Sequence, residues 1–246
     1  MNLGAVPYLN VLPLIAQLEE QPRLEVPAAL VRLLKIGELD LATAPIVALF
    51  QNPDWSLVDG IGLGTKGAVK SVRLIFNREG INLQNVRSID AGMESMSSIL
   101  LVKVLLASKY KRNLEEIEFT GPILTGNEEA QLVIGDKALK TDKGIDLGLE
   151  WTSWTNLPFV FAGWVSRQRT IDRGLVQRLK DCRDQSLKNI ESIIDEKEFP
   201  LPFLKSYLTE NISYELGEPE KKGIELFYRY AAELGLAPKG WSLNLI

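Results

Sequence analysis

Short apolar runs alternate with amphipathic stretches along the first third of the chain. Residues 2–8 predict a short strand, and the helical spacing of apolar positions over 28–37 predicts an amphipathic helix that ends at Gly37. The apolar run 39–47 predicts a buried strand. A glycine-rich stretch then gives way to β-branched residues that predict a strand over 69–76.

The middle third continues the alternation. Apolar runs predict strands at 86–91, 117–119, 131–134 and 159–165, and residues 97–109 are so uniformly apolar that they predict a mostly buried helix. Strands that alternate with helices indicate an α/β architecture with largely parallel sheets. The absence of a flexible linker favours two lobes joined by extended strands.

The last part of the chain is predominantly helical. One apolar stripe at helical spacing contains Leu175, Leu179, Ile190 and Ile194. A second stripe follows the same spacing and contains Ile224, Phe227, Tyr228, Ala231 and Leu234. We therefore predict a two-lobed α/β protein whose C-terminal third adds helices to the lobes.

Composition narrows the possible partners. The 246 residues contain 28 Lys+Arg and 32 Asp+Glu, a net charge of −4, and 46% are apolar. This mild acidity argues against a nucleic-acid surface, which needs clustered positive charge. No apolar run is long enough to span a membrane, and residues 1–10 lack the pattern of a secretory leader. We expect a cytoplasmic protein that binds a small molecule; nothing in the sequence predicts its oligomeric state.

Two features of the composition restrict the chemistry. The chain contains no histidine, which excludes Ser-His and Cys-His nucleophile pairs and every imidazole metal site. Its one cysteine, Cys182, lies among charged residues, and we interpret it as a helix residue without a chemical role. We expect neither a metal ion nor a cofactor.

The glycines of residues 62–67 fit the pattern GxGxxG. A dinucleotide site needs a helix that begins at the last glycine, whereas Gly67 leads into the strand-like sequence AVKSVRLIF. A kinase would need a catalytic-loop histidine, which this chain lacks. We interpret the segment as a flexible turn beside a cleft.

Several residues have both a structural and a functional interpretation. Asp136 follows an apolar strand, so it is either a turn or N-cap residue or a strand-end residue that faces a cleft between lobes. Ser95, Ser97 and Ser98 precede an apolar helix, where they can cap it or help to bind an anion. Trp151 is either a core residue or a platform for a ring-shaped ligand.

Seven segments in order resemble the chorismate dehydratases of the futalosine route to menaquinone. They span about two-thirds of the chain. Each segment alone is weak evidence, but all of them in the same order are specific to this family. The segments are GAVPYLN (4–10), LPL (12–14), GELDLA (37–42), GAVKSV (67–72), IGDKAL (134–139), DLG (146–148) and LPFVFAGW (157–164), with Trp151 between the last two.

The resemblance implies the fold of type II periplasmic binding proteins, in which two α/β lobes close over a ligand. By this analogy residues 1–76 and 168–246 form one lobe and 77–167 the other, with strands near 69–76 and 159–165 crossing between them. One segment departs from the family pattern. The family usually has Ser-Arg-Thr-Ser at a helix start, whereas this chain has Met96 in place of the arginine.

The implied reaction converts chorismate to 3-[(1-carboxyvinyl)oxy]benzoate by loss of the C4 hydroxyl and the C3 proton. Without histidine, the base is a carboxylate such as Asp136, a lysine with a lowered pKa, or a carboxylate of the substrate, which we favour because it is tethered near the ring. The resemblance implies Asn10 as the catalytic residue. It implies that the substrate is bound by Tyr8, Ser71, Ser95, Ser97, Ser98, Gly135, Asp136 and Trp151.

Two alternatives remain at this stage. A non-catalytic carboxylate-binding protein would share the fold, but the missing leader counts against an exported one. The 1,4-dihydroxy-6-naphthoate synthase of the same pathway also has a similar fold. The opening Tyr8-Leu9-Asn10 and the segment Lys70-Ser71-Val72 fit the dehydratase better.

Overall fold

The computed structural model describes residues 1–92, 96–121, 128–195 and 198–246. Its strands are short, apart from two long ones that run beside each other. They are β1 (Leu3–Ala5), β2 (Arg23–Leu24), β3 (Leu41–Pro45), β4 (Ser56–Thr65), β5 (Val72–Phe76), β6 (Ser88–Asp90), β7 (Glu118–Thr120), β8 (Ala130–Ile134), β9 (Ile145–Asp146) and β10 (Phe159–Ser166).

Helices connect most of the strands and make up the C-terminal part. They are α1 (Leu12–Ile15), α2 (Pro27–Ile36), α3 (Val47–Gln51), α4 (Met96–Val104), α5 (Asp136–Leu139), α6 (Leu147–Thr155), α7 (Arg173–Lys188), α8 (Ile190–Ile193), α9 (Leu201–Ser206) and α10 (Glu218–Glu233). Single turns of 3₁₀ helix lie at Leu9–Val11 and Leu114–Glu116, and π-helical turns lie at Leu105–Lys109 and Tyr207–Asn211.

The strands form two five-stranded sheets, one in each lobe. The first has the order β2-β1-β3-β10-β4, and the second has the order β7-β6-β8-β5-β9. In the first sheet β1 pairs in parallel with β2 and β3, and in the second sheet β6 pairs in parallel with β7 and β8. By contrast, β10 pairs antiparallel with β3 and β4, and β5 pairs antiparallel with β8 and β9. The predicted α/β class with two lobes is confirmed.

Helix α2 shows how local sequence sets an element. Pro27 occupies its first turn, where a missing N–H costs nothing. Leu30, Leu33 and Leu34 are buried at helical spacing. Gly37 adopts a left-handed conformation with φ 79° and ends the helix, as the sequence predicts.

Strand pairing moves the crossings between lobes away from the predicted positions. The sequence-based division assigns residues up to 76 to one lobe and residues up to 167 to the other. Instead, β5 pairs with β8 and β9 in the second sheet, and β10 pairs with β3 and β4 in the first. The chain therefore crosses between β4 and β5 and again between α6 and β10. Periodicity identifies these strands but carries no information about their partners.

The glycine-rich segment is a strand rather than the flexible turn that the sequence suggested. Gly62 and Gly64 lie within β4. A Cβ atom on Gly64 would come within 2.5 Å of the carbonyl oxygen of Phe159, so the absence of a side chain allows β10 to approach closely. The structure thereby also shows why the GxGxxG pattern precedes no helix: residues 66–71 lead directly to strand β5.

A carboxylate fixes the first crossing between the lobes. Asp146, only 9% exposed, accepts hydrogen bonds from the backbone N–H groups of Val69 at 3.0 Å and Lys70 at 2.6 Å. It also caps α6 by accepting the N–H of Leu149 at 3.0 Å. Lys70 has a positive φ of 59°, a conformation that such surrounding contacts must hold in a non-glycine residue.

Aromatic side chains fill the core beside the second crossing. Trp151 is fully buried and packs edge-to-face against Phe159 and Phe227, with ring centroids 5.3 and 5.8 Å apart. Phe227 in turn packs against Phe50. This cluster joins α6, β10, α10 and α3, so the C-terminal helix supports the strand that re-enters the first lobe.

Of the helices in the described ranges, none is both long and apolar enough to cross a bilayer.

We predict that Asp146→Ala lowers the free energy of unfolding by about 2–4 kcal/mol, because three backbone N–H groups lose a charged acceptor and α6 loses its cap. Urea unfolding at equilibrium measures the change. Asp142→Ala is the matched control: its carboxylate is fully exposed, 3.7 Å from Arg73, and its loss should leave the urea midpoint of unfolding essentially unchanged. Equal effects of the two substitutions would contradict a special role for Asp146.

Candidate active site

A cavity lies in the cleft between the two sheets. The space in it that a water-sized sphere can occupy is about 70 Å³, and the cavity is partly open to solvent. The first lobe and the C-terminal segment contribute Val6, Tyr8, Asn10, Pro27, Thr43, Pro45, Leu63, Gly64, Phe161, Ala162 and Ile212. The crossing segment and the second lobe contribute Val69, Ser71, Val72, Ser98, Ile134 and Gly135. Both lobes are therefore needed to build it.

The described lining residues carry no formal charge. Most are apolar, and the polar side chains are Tyr8, Asn10, Thr43, Ser71 and Ser98. The Thr43 hydroxyl accepts the backbone N–H of Val6 at 3.2 Å. Such a site holds a ligand by shape and by hydrogen bonds from neutral groups, which keep their strength where water is excluded.

Five of the nine predicted site residues line this cavity: Tyr8, Asn10, Ser71, Ser98 and Gly135. Asn10 lies in the 3₁₀ turn Leu9–Val11, which follows β1 at the edge of the cleft. Its Oδ1 atom is buried without a hydrogen-bond partner among the described residues. These five residues lie far apart along the chain and meet at one cavity, while their roles in binding and catalysis stay predictions.

Asp136 and Ser97 lie next to the cavity and connect the lobes. The Asp136 carboxylate accepts the backbone N–H of Leu9 at 3.2 Å, across the cleft. The Ser97 hydroxyl donates to the carbonyl oxygen of Phe161 at 2.8 Å. Neither residue lines the cavity directly. Both predicted site residues thus help to hold the lobes together around it.

The ring of Tyr8 lies against Gly135. A Cβ atom at Gly135 would come within 3.3 Å of the Tyr8 ring, and Gly135 has φ 63° and ψ −148°, a conformation that is essentially restricted to glycine. Together with the Leu9–Asp136 hydrogen bond, this contact shows that the lobes meet at the rim of the cleft.

Trp151 is not in the cleft. Its indole is fully buried in the aromatic core and donates to the carbonyl oxygen of Pro158 at 3.3 Å. The prediction that it binds the substrate directly is therefore not supported by its position. A large aromatic side chain near family motifs is equally expected in core packing, and sequence alone does not separate the two roles.

Two further residues complete the comparison with the sequence. Ser95, a predicted binding residue, lies outside the described residues. Met96, which replaces the arginine of the family pattern, is the first residue of α4, and its partly buried side chain packs against the core.

The sequence analysis missed Tyr207. This residue is fully buried at the start of a π-helical turn, and its hydroxyl lies beside Ser71 and Asn10. Burial raises the pKa of Tyr207 above its ordinary value, and the carboxylates of Asp136 and Asp146 raise it further, whereas hydrogen bonding by Ser71 and Asn10 acts in the opposite direction. No motif indicated Tyr207, because nearly 200 residues separate it from Asn10. The sequence around it is also typical of an ordinary amphipathic helix.

A family model described as menaquinone biosynthesis matches residues 1–233. The chain belongs to this menaquinone biosynthesis family. The resemblance found in the sequence is therefore confirmed at the level of the family, over a longer part of the chain than the motifs alone covered.

The chain is also similar in sequence to the chorismate dehydratase of Thermus thermophilus. It is 29% identical over 263 residues, which cover 95% of this chain and 95% of the relative.

Solved structures confirm the fold. Protein AF1704 from Archaeoglobus fulgidus has a TM-score of 0.71 at 14% identity, covering 95% of this chain and 97% of that one. The periplasmic aliphatic sulphonate binding protein SsuA from Escherichia coli has a TM-score of 0.64 at 13% identity, covering 100% and 93%. This member of the menaquinone biosynthesis family thus has the periplasmic-binding-protein-like fold that the family resemblance implies.

The electrostatics of Asp136 predict a pH dependence of stability. Burial raises the pKa of its carboxyl above the ordinary value of 3.8, and Glu198 raises it further, while the Leu9 hydrogen bond and Lys140 act in the opposite direction. As the pH rises from 3.8 to the raised value, the unfolded chain loses this proton first. The charged form is thus disfavoured in the folded state, and Asp136 lowers stability progressively across that window.

Asp136→Asn removes this titration but keeps an acceptor for Leu9. We therefore expect the stability of Asp136→Asn relative to wild type to increase as the pH rises above 3.8 and then to level off. Urea unfolding at a series of pH values measures the difference. Glu198→Gln should reduce the effect only in part, because burial is the larger cause. A difference that does not change with pH would contradict the raised pKa.

Proposed function

We propose that this protein is a chorismate dehydratase that eliminates water from chorismate to give 3-[(1-carboxyvinyl)oxy]benzoate. The observation that carries the proposal is the similarity to the Thermus thermophilus enzyme along 95% of both chains, together with membership of the menaquinone biosynthesis family. The cavity supports it, since an uncharged, mostly apolar cleft with a few hydroxyl and amide groups suits a small ring that carries oxygen substituents.

The reaction is a hydro-lyase elimination. A base removes the proton from C3, the electrons of the C3–H bond form the new ring double bond, and the C4–O bond breaks. The departing hydroxide combines with a proton to leave as water, and the ring becomes aromatic. The enzyme must therefore place a base beside C3 and stabilise the oxygen that leaves C4.

We assign the base to a carboxylate of the substrate. In the described part of the chain, no carboxylate, lysine or arginine lines the cavity. Asp136, the carboxylate considered from the sequence, already accepts the Leu9 N–H and is not among the lining residues. The enolpyruvyl carboxylate is attached through the ether oxygen at C3, so a bound conformation that folds it over the ring gives an intramolecular proton transfer.

The protein then binds the substrate and orients it. Asn10 donates its amide N–H to the departing hydroxyl or to the attacking carboxylate. Ser71 and Ser98, with the backbone N–H groups at the start of α4, hold the other carboxylate. The Ser97 hydroxyl acts on Phe161 instead. Asp136 and Tyr8 keep the turn that carries Asn10 against the second lobe. Closure of the lobes excludes water during the reaction.

The decisive experiment mixes purified protein with chorismate and follows the mixture by chromatography with mass detection. A product lighter than chorismate by one water, formed in proportion to the protein, is the expected result. Recovery of intact chorismate that binds in calorimetry would instead favour a non-catalytic carboxylate-binding protein. Conversion of a different substrate of the same pathway would favour an enzyme like 1,4-dihydroxy-6-naphthoate synthase.

We predict that Asn10→Ala lowers kcat by about 100-fold or more, because a donor directed at developing negative charge acts mainly in the transition state. Asn189→Ala is the matched control, since Asn189 is exposed and its side chain donates to Gln185 at the end of α7. Steady-state kinetics with chorismate compare the two variants. Full turnover by Asn10→Ala would exclude the role assigned to Asn10.

A further inference from the structure

Strand β3 presents one polar side chain to the cavity. Thr43 and Pro45 are among the lining residues, whereas Ala42 and Ala44 are not. Successive side chains of a strand alternate between its two faces, so Thr43 and Pro45 share the face that is turned towards the cleft. The Thr43 residue is only 1% exposed. The strand therefore brings a buried hydroxyl to the wall of the cavity.

The hydrogen bonding of Thr43 leaves its proton unused. The hydroxyl oxygen accepts the N–H of Val6 at 3.2 Å, just beyond the point where strand β1 ends at Ala5. Within the described ranges the hydroxyl donates to no acceptor. A hydroxyl can accept and donate, and a buried donor without a partner costs free energy. Thr43 therefore offers a donor to an acceptor atom that enters the cavity.

A second buried hydroxyl of the same sheet has both of its functions occupied. Ser166 lies at the end of β10, is fully buried and does not line the cavity. Its oxygen accepts the N–H of Gln168 at 3.0 Å, and its proton is donated to the carbonyl oxygen of Asp40 at 2.8 Å. At Thr43 only the acceptor is occupied. The difference between the two residues is a free donor on the cavity wall.

The chemistry of chorismate determines which of its oxygens such a donor meets. The ring carboxylate is attached at C1 and the hydroxyl at C4, and these positions lie opposite each other across the six-membered ring. In the proposed binding mode Ser71 and Ser98 hold the ring carboxylate, which directs the C4 oxygen towards the first lobe. The described polar side chains that the first lobe contributes to the lining are Tyr8, Asn10 and Thr43.

We propose that Thr43 is a further catalytic residue, whose hydroxyl donates a hydrogen bond to the C4 oxygen of chorismate. The C4–O bond breaks with its electron pair going to oxygen, and this hydrogen bond stabilises the negative charge that develops there. The proton removed from C3 completes the departing water, so Thr43 keeps its own proton. The inference rests on the proposed chorismate dehydratase function and names a donor for the leaving group. Asn10 is then available for the attacking carboxylate.

The direct test is Thr43→Val, which removes the hydroxyl and keeps the size of the side chain. We expect kcat with chorismate to fall by about 10- to 100-fold. The product has both carboxylates and the ether oxygen but has lost the C4 oxygen, so its inhibition constant should change by less than about 2-fold. Thr43→Ser restores a hydroxyl and should recover kcat to within about 5-fold of wild type. A parallel weakening of product binding would mean that Thr43→Val distorts the cavity, which would overturn the proposal.

Ser166→Ala is the matched control for the loss of a buried hydroxyl that accepts a backbone N–H. Both Thr43→Val and Ser166→Ala should lower the urea midpoint of unfolding, because each removes such an acceptor. Only Thr43→Val should lower kcat, measured at a temperature at which both variants are folded. A purely structural role of Thr43 predicts instead that kcat is kept, or that it falls equally in the two variants. Either result would exclude the contact with the leaving oxygen.

A failure of the proposed function is visible separately. If wild type binds chorismate without converting it, the protein is not a dehydratase, and the dissociation constants of chorismate and of 3-[(1-carboxyvinyl)oxy]benzoate then decide the role of Thr43. Weaker binding of chorismate by Thr43→Val, with unchanged binding of the second ligand, would still support the contact with the C4 oxygen. Equal changes for the two ligands would contradict it.

Discussion

The carboxylate of Asp146 fixes the geometry on which the rest of the molecule depends. It holds the N–H groups of Val69 and Lys70 at the crossing between the lobes and caps α6 at the same time. The next residue, Ser71, lines the cavity, and its carbonyl oxygen accepts the N–H of Gly135 at 2.8 Å. One buried acceptor therefore sets the start of β5 and, through β5, the position of the strand end at Gly135. The shape of the cavity therefore depends on how the chain connects the two lobes.

This arrangement explains why the strained positions lie where they do. Lys70 holds a left-handed conformation directly beside Asp146, and Gly135 holds one that only glycine tolerates, directly beside Tyr8. Both lie within one residue of a group that lines the cavity. Backbone strain is retained in proteins where surrounding contacts enforce it and function needs the geometry. At Gly135 the missing side chain and the positive φ allow the Tyr8 ring of the first lobe to approach the backbone of the second lobe closely.

Elements that depend on local spacing could be predicted from the sequence, whereas contacts between distant segments could not. Helix α2 was predictable because its apolar stripe and Gly37 act locally. Strand β4 was wrongly predicted to be a flexible turn. Its glycine at position 64 allows the close approach of β10, and a local sequence pattern does not show such a contact. Asn10 and Ser71 were found through family motifs. Trp151 was predicted to bind the substrate although it is buried in the aromatic core, because a sequence does not show which side chains surround a residue in the fold.

The proposed elimination needs no histidine, and its requirements can be met by a binding-protein fold. Elimination by a base on the substrate requires that the protein hold one conformation of the ligand and stabilise one leaving oxygen. In the proposed mechanism neutral donors do both once the lobes close, since a fixed amide or hydroxyl forms a stronger hydrogen bond when water is excluded. A charged side chain in the cleft would have to be desolvated when the lobes close, at considerable cost. The uncharged lining around Asn10, Ser71 and Ser98 is therefore suited to catalysis by conformational control, and a fold that closes two lobes around a small molecule already supplies the main requirement.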